Sequence, residues 1–289
     1  MYLHKAKVQL TVKLNIIGFT QTLHGITKWN SFQISGYLCA MAEFAHDKVV
    51  PNAASGKTKT EQVAEMFDSI AGRYDFMNRF LSAGIDISWR KKMLNRLKPL
   101  NPRIMLDVAT GTADVAIMAQ EILRPEKIIG IDISEGMLQL GRQKLLKKQL
   151  NAVIDLQSGD SEAIKFPDNT FDAVTVAFGV RNFEHLEKGL KEILRVLKPN
   201  GMLCVLEFSK PNLPGIAQLY NLYLGIVAPG IAKMVSKNRE AYAYLNDSVK
   251  AFPEGKRFTA IMDSAGFKET TCRRLSLGIC SIYSGTKQA

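Results

Sequence analysis

Residues 104–114 read IMLDVATGTAD, an apolar run that ends near Asp107 and passes through a loop of small residues into a helical pattern. A strand followed by such a loop and a helix is half of a βα unit, and ligands of these units bind beyond the carboxyl ends of the strands. A plain connecting turn would also fit a loop with the single glycine Gly111. The pattern on either side of the loop therefore has to decide between the two.

The flanking sequence alternates short apolar runs with longer amphipathic ones. Strands are predicted at residues 104–108, 127–131, 153–157, 173–178 and 203–208. Helices are predicted at residues 114–123, 135–149 and 183–197, with a further helical stretch after Pro214. Strands that alternate with helices predict βαβ crossovers and a parallel sheet that is covered on both faces.

The end of the chain departs from this alternation. A helix is predicted at residues 258–265, and two strands follow at residues 269–275 and 280–284 with only a short connection around Gly278. A connection this short requires antiparallel pairing. The whole pattern predicts an α/β fold with a mainly parallel seven-stranded sheet and a C-terminal antiparallel hairpin, which is typical of Rossmann-like class I methyltransferases.

Three parts of the chain differ in composition. Residues 1–40 form a basic extension with four lysines and no acidic residue or arginine, and residues 41–59 are predicted to be a linker. Residues 60–289 form the domain, whose first helix begins near Thr60, a residue that can cap it; a second helix is predicted at residues 87–97. Three interpretations of the extension stay open: translation from Met41, a disordered tail, or an organelle transit peptide.

The net charge of +11 indicates a basic surface, which can meet nucleic acid, anionic lipid or an acidic ligand. The sequence contains no arginine-rich arm, RNA-binding aromatic motif or zinc finger, so we predict no nucleic-acid partner and favour peripheral contact with an anionic membrane. No apolar run is long enough to span a bilayer. The four cysteines lack CxxC spacing, which argues against a zinc site and indicates a reducing, cytoplasmic compartment.

Acidic residues follow the predicted strands where a cofactor would bind. The loop after Asp107 lacks the G-x-G-x-x-G spacing that lets a backbone approach a pyrophosphate, which argues against NAD and FAD. Asp132 stands 21 residues after Gly111, at the end of the second strand, where a carboxylate can accept from both ribose hydroxyls. Ribose recognition without a pyrophosphate site points to S-adenosylmethionine. Asp160 can accept from the adenine amino group and the Ser161 amide can donate to the ring, although a solvated turn would explain this pair too.

Three irregular motifs resemble the ubiquinone/menaquinone biosynthesis C-methyltransferase family, and the resemblance runs from about residue 60 to the C-terminus. The motifs are YDFMN at residues 74–78 with Leu81, Ser82 and Trp89 after it, FGVRN at residues 178–182, and RVLKP at residues 195–199 with LEFS at residues 206–209. Several positions depart from the family pattern. Ala177 and the pair Asp160 and Ser161 differ from some members, which favours a menaquinone-type enzyme. Asp86 stands where the family usually has histidine, and Asn200 replaces a turn glycine whose left-handed backbone asparagine tolerates.

The resemblance implies the activity and some of the contacts. It implies transfer of a methyl group from S-adenosylmethionine to a ring carbon of a demethylquinol, with a helical lid that carries Tyr74 over the cofactor. It also implies cofactor contacts by Thr112, Asp132, Asp160 and Ser161. Asp107 of the first strand and Gly111 of the loop after it are predicted as further cofactor-binding residues, and Tyr74 is predicted to be catalytic. A naphthoquinol, demethylmenaquinol, is the first substrate expectation, and a benzoquinol precursor of ubiquinone is the alternative.

A quinol has to be activated before its ring carbon accepts a methyl group. Its hydroxyl has a pKa near that of tyrosine, about 10, and only the ionised form pushes electrons onto the ring. We predict that Arg181 stabilises this oxyanion, that Asn182 helps it hold a relay water, and that Asp75 or His185 accepts the proton. The alternatives are an ion pair for Arg181, a helix-end contact for Tyr74 and Asp75, and an exposed helix face for His185. Trp89 is expected to belong to the core and not to stack on the substrate.

A polyprenyl tail would need an apolar groove. Five residues at helical spacing could line it, or could form a homodimer face or simple core: Leu219, Leu222, Tyr223, Ile226 and Val227. Two further functions stay open, a methyltransferase of the same fold for another small molecule or RNA, and a regulatory module that binds the cofactor without catalysis.

Overall fold

A computed structural model describes residue 44 and residues 46–82, 84–211 and 239–289 of the chain. The chain divides into two compact units, Met1–Ala42 and Glu43–Ala289, and every described residue belongs to the second. The predicted extension and the apolar residues predicted for a tail groove lie outside the described residues. Within the described ranges, no helix has the length and apolarity needed to cross a membrane.

The sheet contains β1 (Ile104–Val108), β2 (Lys127–Asp132), β3 (Ile154–Ser158), β4 (Phe171–Ala177), β5 (Leu197–Phe208), β6 (Lys268–Leu275) and β7 (Cys280–Thr286). The strand order is β3-β2-β1-β4-β5-β7-β6. The first five strands pair in parallel, and β7 pairs antiparallel with both β5 and β6. The predicted fold class is confirmed, and the structure adds that the last strand lies between β5 and β6.

The helices of the described residues are α1 (Lys59–Leu81), α2 (Ile85–Asn95), α3 (Asp114–Leu123), α4 (Glu135–Lys148), α5 (Leu186–Val196), α6 (Arg239–Ala251) and α7 (Lys256–Ala265). Two predicted boundaries differ for local reasons. α5 begins later than predicted, because residues 180–182 form a separate 3-10 turn. β5 begins earlier, because Leu197 already pairs with Phe171 of β4, although the polar residues after it look like a turn.

Both faces of the sheet are covered, which explains the apolar composition of its central strands. Along β4, Val174 and Val176 pack against residues of α5 and α7, whereas Ala173 packs with residues of α2 and α3 on the opposite face. Full burial of a side chain the size of valine stabilises a fold by about 1.5–3 kcal/mol. These two layers fix the edge at which the strands end.

The start of α1 differs from the predicted cap. Thr58 and Glu61 form a capping box, in which the Glu61 N–H donates to Thr58 Oγ1 at 3.2 Å and the Thr58 N–H donates to Glu61 Oε2 at 2.9 Å. Thr60, the predicted cap, lies inside the first turn. Its N–H and hydroxyl donate to Glu184 Oε2 at 3.0 and 2.9 Å. The segment before α5 therefore holds the first turn of α1.

The segment before α1, predicted to be a linker, contacts the first turn of α1. His46 and Lys59 are buried, and Lys59 Nζ donates to the His46 carbonyl oxygen at 2.7 Å. Burial, helped by the charge of Lys59, lowers the pKa of His46 to about 3. The imidazole is consequently neutral at physiological pH.

Candidate active site

A cavity lies at the carboxyl edge of the sheet, where the loops after β1, β2, β3 and β4 meet α1. Ligands of open α/β sheets bind at this edge. Six of the predicted site residues line it: Tyr74, Gly111, Asp132, Asp160, Ser161 and Asn182. Four others lie outside its wall: Asp75, Asp107, Thr112 and Arg181.

Asp107 fixes the loop after β1 from a buried position outside the cavity wall. Its carboxylate is buried and accepts from the Thr110 hydroxyl at 2.7 Å and the Thr175 hydroxyl at 2.6 Å. Burial raises the pKa of Asp107 to about 6, because the two hydroxyls only partly replace its hydration. Asp107 thus shapes the loop, and the cofactor contact predicted for it has no support from this position.

The same loop has backbone conformations that residues with a side chain rarely adopt. Ala109 has a φ of 54° and Gly111 a φ of 56°, both in the left-handed region. A Cβ atom added to Gly179, which follows β4, would lie 2.5 Å from the Ala109 Cβ, so the two loops approach closely only because residue 179 is glycine. This packing brings the ends of β1 and β4 to one wall of the cavity.

Asp132 presents a buried carboxylate to the cavity. Oδ2 accepts from the Gly111 N–H at 2.7 Å and Oδ1 from the Ser134 N–H at 2.9 Å. A carboxylate has about four acceptor positions, so further positions remain for a ligand. Burial raises the pKa of Asp132 to about 6, against the effect of its backbone hydrogen bonds.

The surroundings of Asp132 fit a nucleoside. The side chains of Ile133 and Met137 line the cavity next to it, and Asp160 and Ser161 line it after β3. Gly111 has no atom within 4 Å of the position a Cβ would take, which leaves room at the loop. A buried acceptor for hydroxyls, apolar side chains and a polar end together match the ribose and adenine of S-adenosylmethionine.

Thr112 and Asp75 bind each other instead of lining the cavity. The Thr112 hydroxyl donates to Asp75 Oδ1 at 2.6 Å. Lys144 on α4 donates to Thr112 Oγ1 at 2.7 Å and lies 2.5 Å from Asp75 Oδ2 and 2.7 Å from Asp114 Oδ1. This cluster ties α1 to the loop after β1, so the geometry favours a positioning role for Asp75 and does not support its predicted role as proton acceptor.

A second contact ties α1 to the start of α4. Asp68 accepts from the Ser134 hydroxyl at 2.6 Å and the Gly136 N–H at 2.9 Å. An acidic group is stabilised at a helix N-terminus by the free N–H groups and the helix dipole. Together with Asp75 and Thr60, Asp68 holds α1 along the cavity. Nothing in the sequence pattern set Asp68 apart from other exposed acids of a helix.

Arg181 forms the ion pair that was the alternative to its predicted role. Nη1 lies 2.7 Å from Glu207 Oε1 and donates to the Phe178 carbonyl oxygen at 2.6 Å, and both side chains are buried. The guanidinium also stacks over the Phe208 ring at 5.6 Å. Arg181 is a weaker stabiliser of an oxyanion than the sequence predicts, because Glu207 compensates its charge and because Arg181 does not line the cavity wall.

Asn182 and Tyr74 are the polar side chains of the FGVRN and YDFMN motifs that reach the cavity. Asn182 Oδ1 accepts from the Tyr244 hydroxyl of α6 at 3.2 Å. The Tyr74 ring packs edge-on against Phe67 with a centroid distance of 5.7 Å. Burial raises the pKa of Tyr74 while the charge of Arg181 opposes this shift, so its hydroxyl stays protonated at neutral pH.

The remaining predicted residues have structural roles. The His185 side chain is 64% exposed, and its Nδ1 lies 2.9 Å from Glu162, a buried residue of the cavity wall. Trp89 is buried, as expected for a core residue, and its Nε1 donates to Ser276 Oγ at 2.8 Å. Asp86 is buried and pairs with Arg90. None of the three supplies a group to the cavity wall.

Comparison with protein families assigns the fold and motifs to a known group. The sequence profile of the ubiE/COQ5 methyltransferase family matches residues 55–287. A demethylmenaquinone methyltransferase of Bacteroides fragilis is 47% identical over 84% of this chain and 99% of its own length. A ubiquinone/menaquinone biosynthesis C-methyltransferase of Geotalea daltonii is 45% identical over 79% of this chain and 97% of its own length.

Among solved structures, a SAM-dependent methyltransferase from Thermotoga maritima has a TM-score of 0.55 and 18% sequence identity, covering 78% of this chain and 99% of its own. At this identity the likeness concerns the fold alone.

Proposed function

Because the chain belongs to the ubiE/COQ5 methyltransferase family, we propose that it transfers a methyl group from S-adenosylmethionine to a ring carbon of demethylmenaquinol, giving menaquinol. When bound, S-adenosylmethionine supplies an electrophilic methyl group. The single observation that carries the proposal is the buried Asp132 carboxylate facing a cavity whose wall also contains Asn182 and Tyr74. The name of the Bacteroides fragilis relative, matched over almost its full length, supports the naphthoquinol.

Different residues of the chain would contact different parts of the cofactor. Asp132 would accept from the ribose hydroxyls through the acceptor positions that Gly111 and Ser134 leave free. Asp160 and Ser161 would meet the adenine, with the side chain of Met137 packing beside it. Thr112, implied as a contact by the family, would act through the loop that it fastens to Asp75.

Asn182 and Tyr74 would act on the quinol. Both line the cavity. Asn182 follows Arg181 in sequence, and burial raises the pKa of Tyr74 while the charge of Arg181 lowers it. Neutral donors preorganised in a closed site stabilise a developing oxyanion, which raises the electron density of the ring carbon. The quinol proton would leave to water, since neither Asp75 nor His185 lines the wall. The hydrogen of the methylated ring carbon would then move to the quinol oxygen, which restores the aromatic quinol.

Quinone profiling tests the proposal. The chain would be expressed in a bacterial host that lacks its own quinone methyltransferase and accumulates demethylmenaquinone, with the Asp132→Asn variant as the matched inactive control. Conversion of demethylmenaquinone to menaquinone by the wild-type chain alone is the expected result. Persistence of demethylmenaquinone at normal expression would overturn the proposal, and methylation of only the benzoquinol precursor would replace the naphthoquinol as substrate.

Peripheral membrane contact belongs to the same proposal, because a polyprenyl quinol partitions into lipid. Two exposed apolar side chains flank the junction of α1 and α2, Phe76 at 61% and Ile85 at 47% exposure. The net charge of +11 favours an anionic surface. We expect the purified chain to sediment with phosphatidylglycerol vesicles and not with phosphatidylcholine vesicles. Equal recovery in the two supernatants would contradict the contact. The homodimer stays a prediction.

A further inference from the structure

Tyr244 is a buried residue that contacts residues of the cavity wall. It lies on α6, is 3% exposed, and is not itself part of the wall. Its ring packs with Val63 and Met66 of α1, and its hydroxyl donates to Asn182 Oδ1 at 3.2 Å. Val63 and Asn182 both line the cavity. One side chain of α6 therefore contacts both the lid helix and the turn after β4.

The hydrogen bond from Tyr244 fixes the polarity of the Asn182 amide. Burial raises the pKa of Tyr244, so its hydroxyl keeps its proton throughout the physiological range. A hydroxyl can also accept, but Asn182 Oδ1 is the only acceptor that the described residues offer this buried O–H, so a reversed amide would leave it without a partner. With Oδ1 turned toward Tyr244, the Nδ2 group is the end of the amide that remains for other contacts. No group among the described residues bonds to Nδ2. A pair of amide N–H donors is thus left at a residue of the cavity wall.

The neighbouring ion pair explains why these donors would matter to an anion in the cavity. Arg181 and Glu207 lie close enough to Tyr244 that the first lowers and the second raises its pKa, in opposition to each other. Because Arg181 Nη1 and Glu207 Oε1 lie 2.7 Å apart, the pair carries little net charge. An anionic oxygen in the cavity has to be stabilised mainly by oriented dipoles, and a reversed amide would present its own oxygen and repel it.

We infer that Tyr244 is a positioning residue, which turns the Asn182 Nδ2 group toward the oxygen of the bound quinol so that the amide donates to the quinolate. The inference rests on the proposed function, since it names the partner of Asn182 in that reaction. It assigns no contact with S-adenosylmethionine to Tyr244. Loss of the hydroxyl should accordingly affect methyl transfer and leave cofactor binding unchanged.

The test is the Tyr244→Phe variant of the full chain, which keeps the ring in its packed position and removes only the hydroxyl. Methylation of a short-chain demethylmenaquinol should fall about tenfold in kcat, less than the roughly 100-fold loss expected for Asn182→Ala, which removes the donor itself. The Kd for S-adenosylmethionine should stay at the wild-type value. The pH profile of kcat should move to higher pH, because a less stabilised quinolate forms at higher pH.

A double variant separates positioning from packing. If Tyr244 acts through Asn182, Tyr244→Phe should cost nothing further in the Asn182→Ala background. Tyr283→Phe is the matched control, because Tyr283 is a buried tyrosine whose hydroxyl accepts from the Gly255 N–H at 2.8 Å away from the cavity wall. It should retain wild-type kcat and pH profile.

Each outcome bears on one claim. A wild-type chain that methylates the quinol, together with an unaltered kcat and pH profile in Tyr244→Phe, overturns the inference and leaves the proposed function standing. Additive losses in the double variant overturn it too. A wild-type chain that binds S-adenosylmethionine but methylates no quinol refutes the proposed function, and the inference with it.

Discussion

The carboxylate of Asp132 gives the cofactor site a pH dependence that can be measured. Burial raises its pKa to about 6, since the N–H groups of Ser134 and Gly111 only partly offset the lost hydration. Ribose hydroxyls donate to the ionised carboxylate, so proton binding and cofactor binding compete. The affinity for S-adenosylmethionine should therefore fall as the pH drops through 6.

The size of the effect follows from the pKa. If only the ionised form binds, the apparent Kd scales with one plus the ratio of protonated to ionised Asp132. With a pKa of about 6, that ratio is ~0.1 at about pH 7 and ~10 at about pH 5, so binding weakens about tenfold. Asp132→Asn loses the charge on two hydrogen bonds, which should cost about 3 kcal/mol and raise the Kd about 100-fold near neutral pH.

Isothermal titration calorimetry of the purified chain measures both effects. The wild-type Kd should rise about tenfold between about pH 7 and about pH 5, and the Kd of Asp132→Asn should be high and independent of pH. Asp172→Asn is the control: its carboxylate accepts from the N–H groups of Arg103 and Ile104 at 2.9 and 2.7 Å, at the amino end of β1. It should lower stability and leave the Kd unchanged. A wild-type Kd that does not vary with pH, or a tightly binding Asp132→Asn, would refute the reasoning.

Three further predictions concern stability and the lid. Arg181→Ala leaves the buried Glu207 without its partner at 2.7 Å and should lower the free energy of unfolding by about 3–5 kcal/mol in urea titrations. Much of this loss should be recovered when Arg181→Met is combined with Glu207→Gln. An unaltered urea midpoint for Arg181→Ala would contradict the stabilising role of the ion pair. Asp75→Asn should reduce kcat less than about tenfold in steady-state assays, because Asp75 only fastens α1, whereas a general base would lose roughly 100-fold or more. The pKa of His46 lies at about 3 in the folded state, below its ordinary 6.5. As the pH drops below about 6.5, His46 is therefore protonated in the unfolded chain but not in the folded one, and the free energy of unfolding decreases. By about pH 5 the loss should reach ~2 kcal/mol relative to His46→Gln, and parallel pH curves for the two proteins would contradict it.

The fold could be predicted because its signals are local. The strand at Ile104–Val108 and the helix at Asp114–Leu123 have the bounds that their apolar periodicity predicts. The left-handed backbone expected at Asn200 is present, with a φ of 64°. The family resemblance is confirmed by the profile match and by the relatives. Asp132 was predicted as a cofactor contact because the chain position of a strand end specifies its place at the sheet edge, and it lines the cavity.

Side-chain partners were harder to predict, because they come from distant parts of the chain. Glu207 is 26 residues from Arg181, and a strand-end acid inside the LEFS motif was the only signal that the arginine would be neutralised. Asp75 was one of two residues predicted to accept the quinol proton, but Lys144 and Thr112 hold it outside the cavity wall. Tyr244 follows the undescribed residues 212–238, and no pattern in its helix marks it as a partner of Asn182.

Transfer of labelled methyl groups is the most direct measurement of the central claim. Purified chain would be incubated with S-adenosylmethionine carrying a labelled methyl group and a short-chain demethylmenaquinol in detergent, and the quinone fraction would be analysed by mass spectrometry. The account predicts one label on a ring carbon of the naphthoquinol, formed by the wild-type chain and nearly absent with Asp132→Asn. A folded chain that binds the cofactor but leaves the naphthoquinol unlabelled would contradict it.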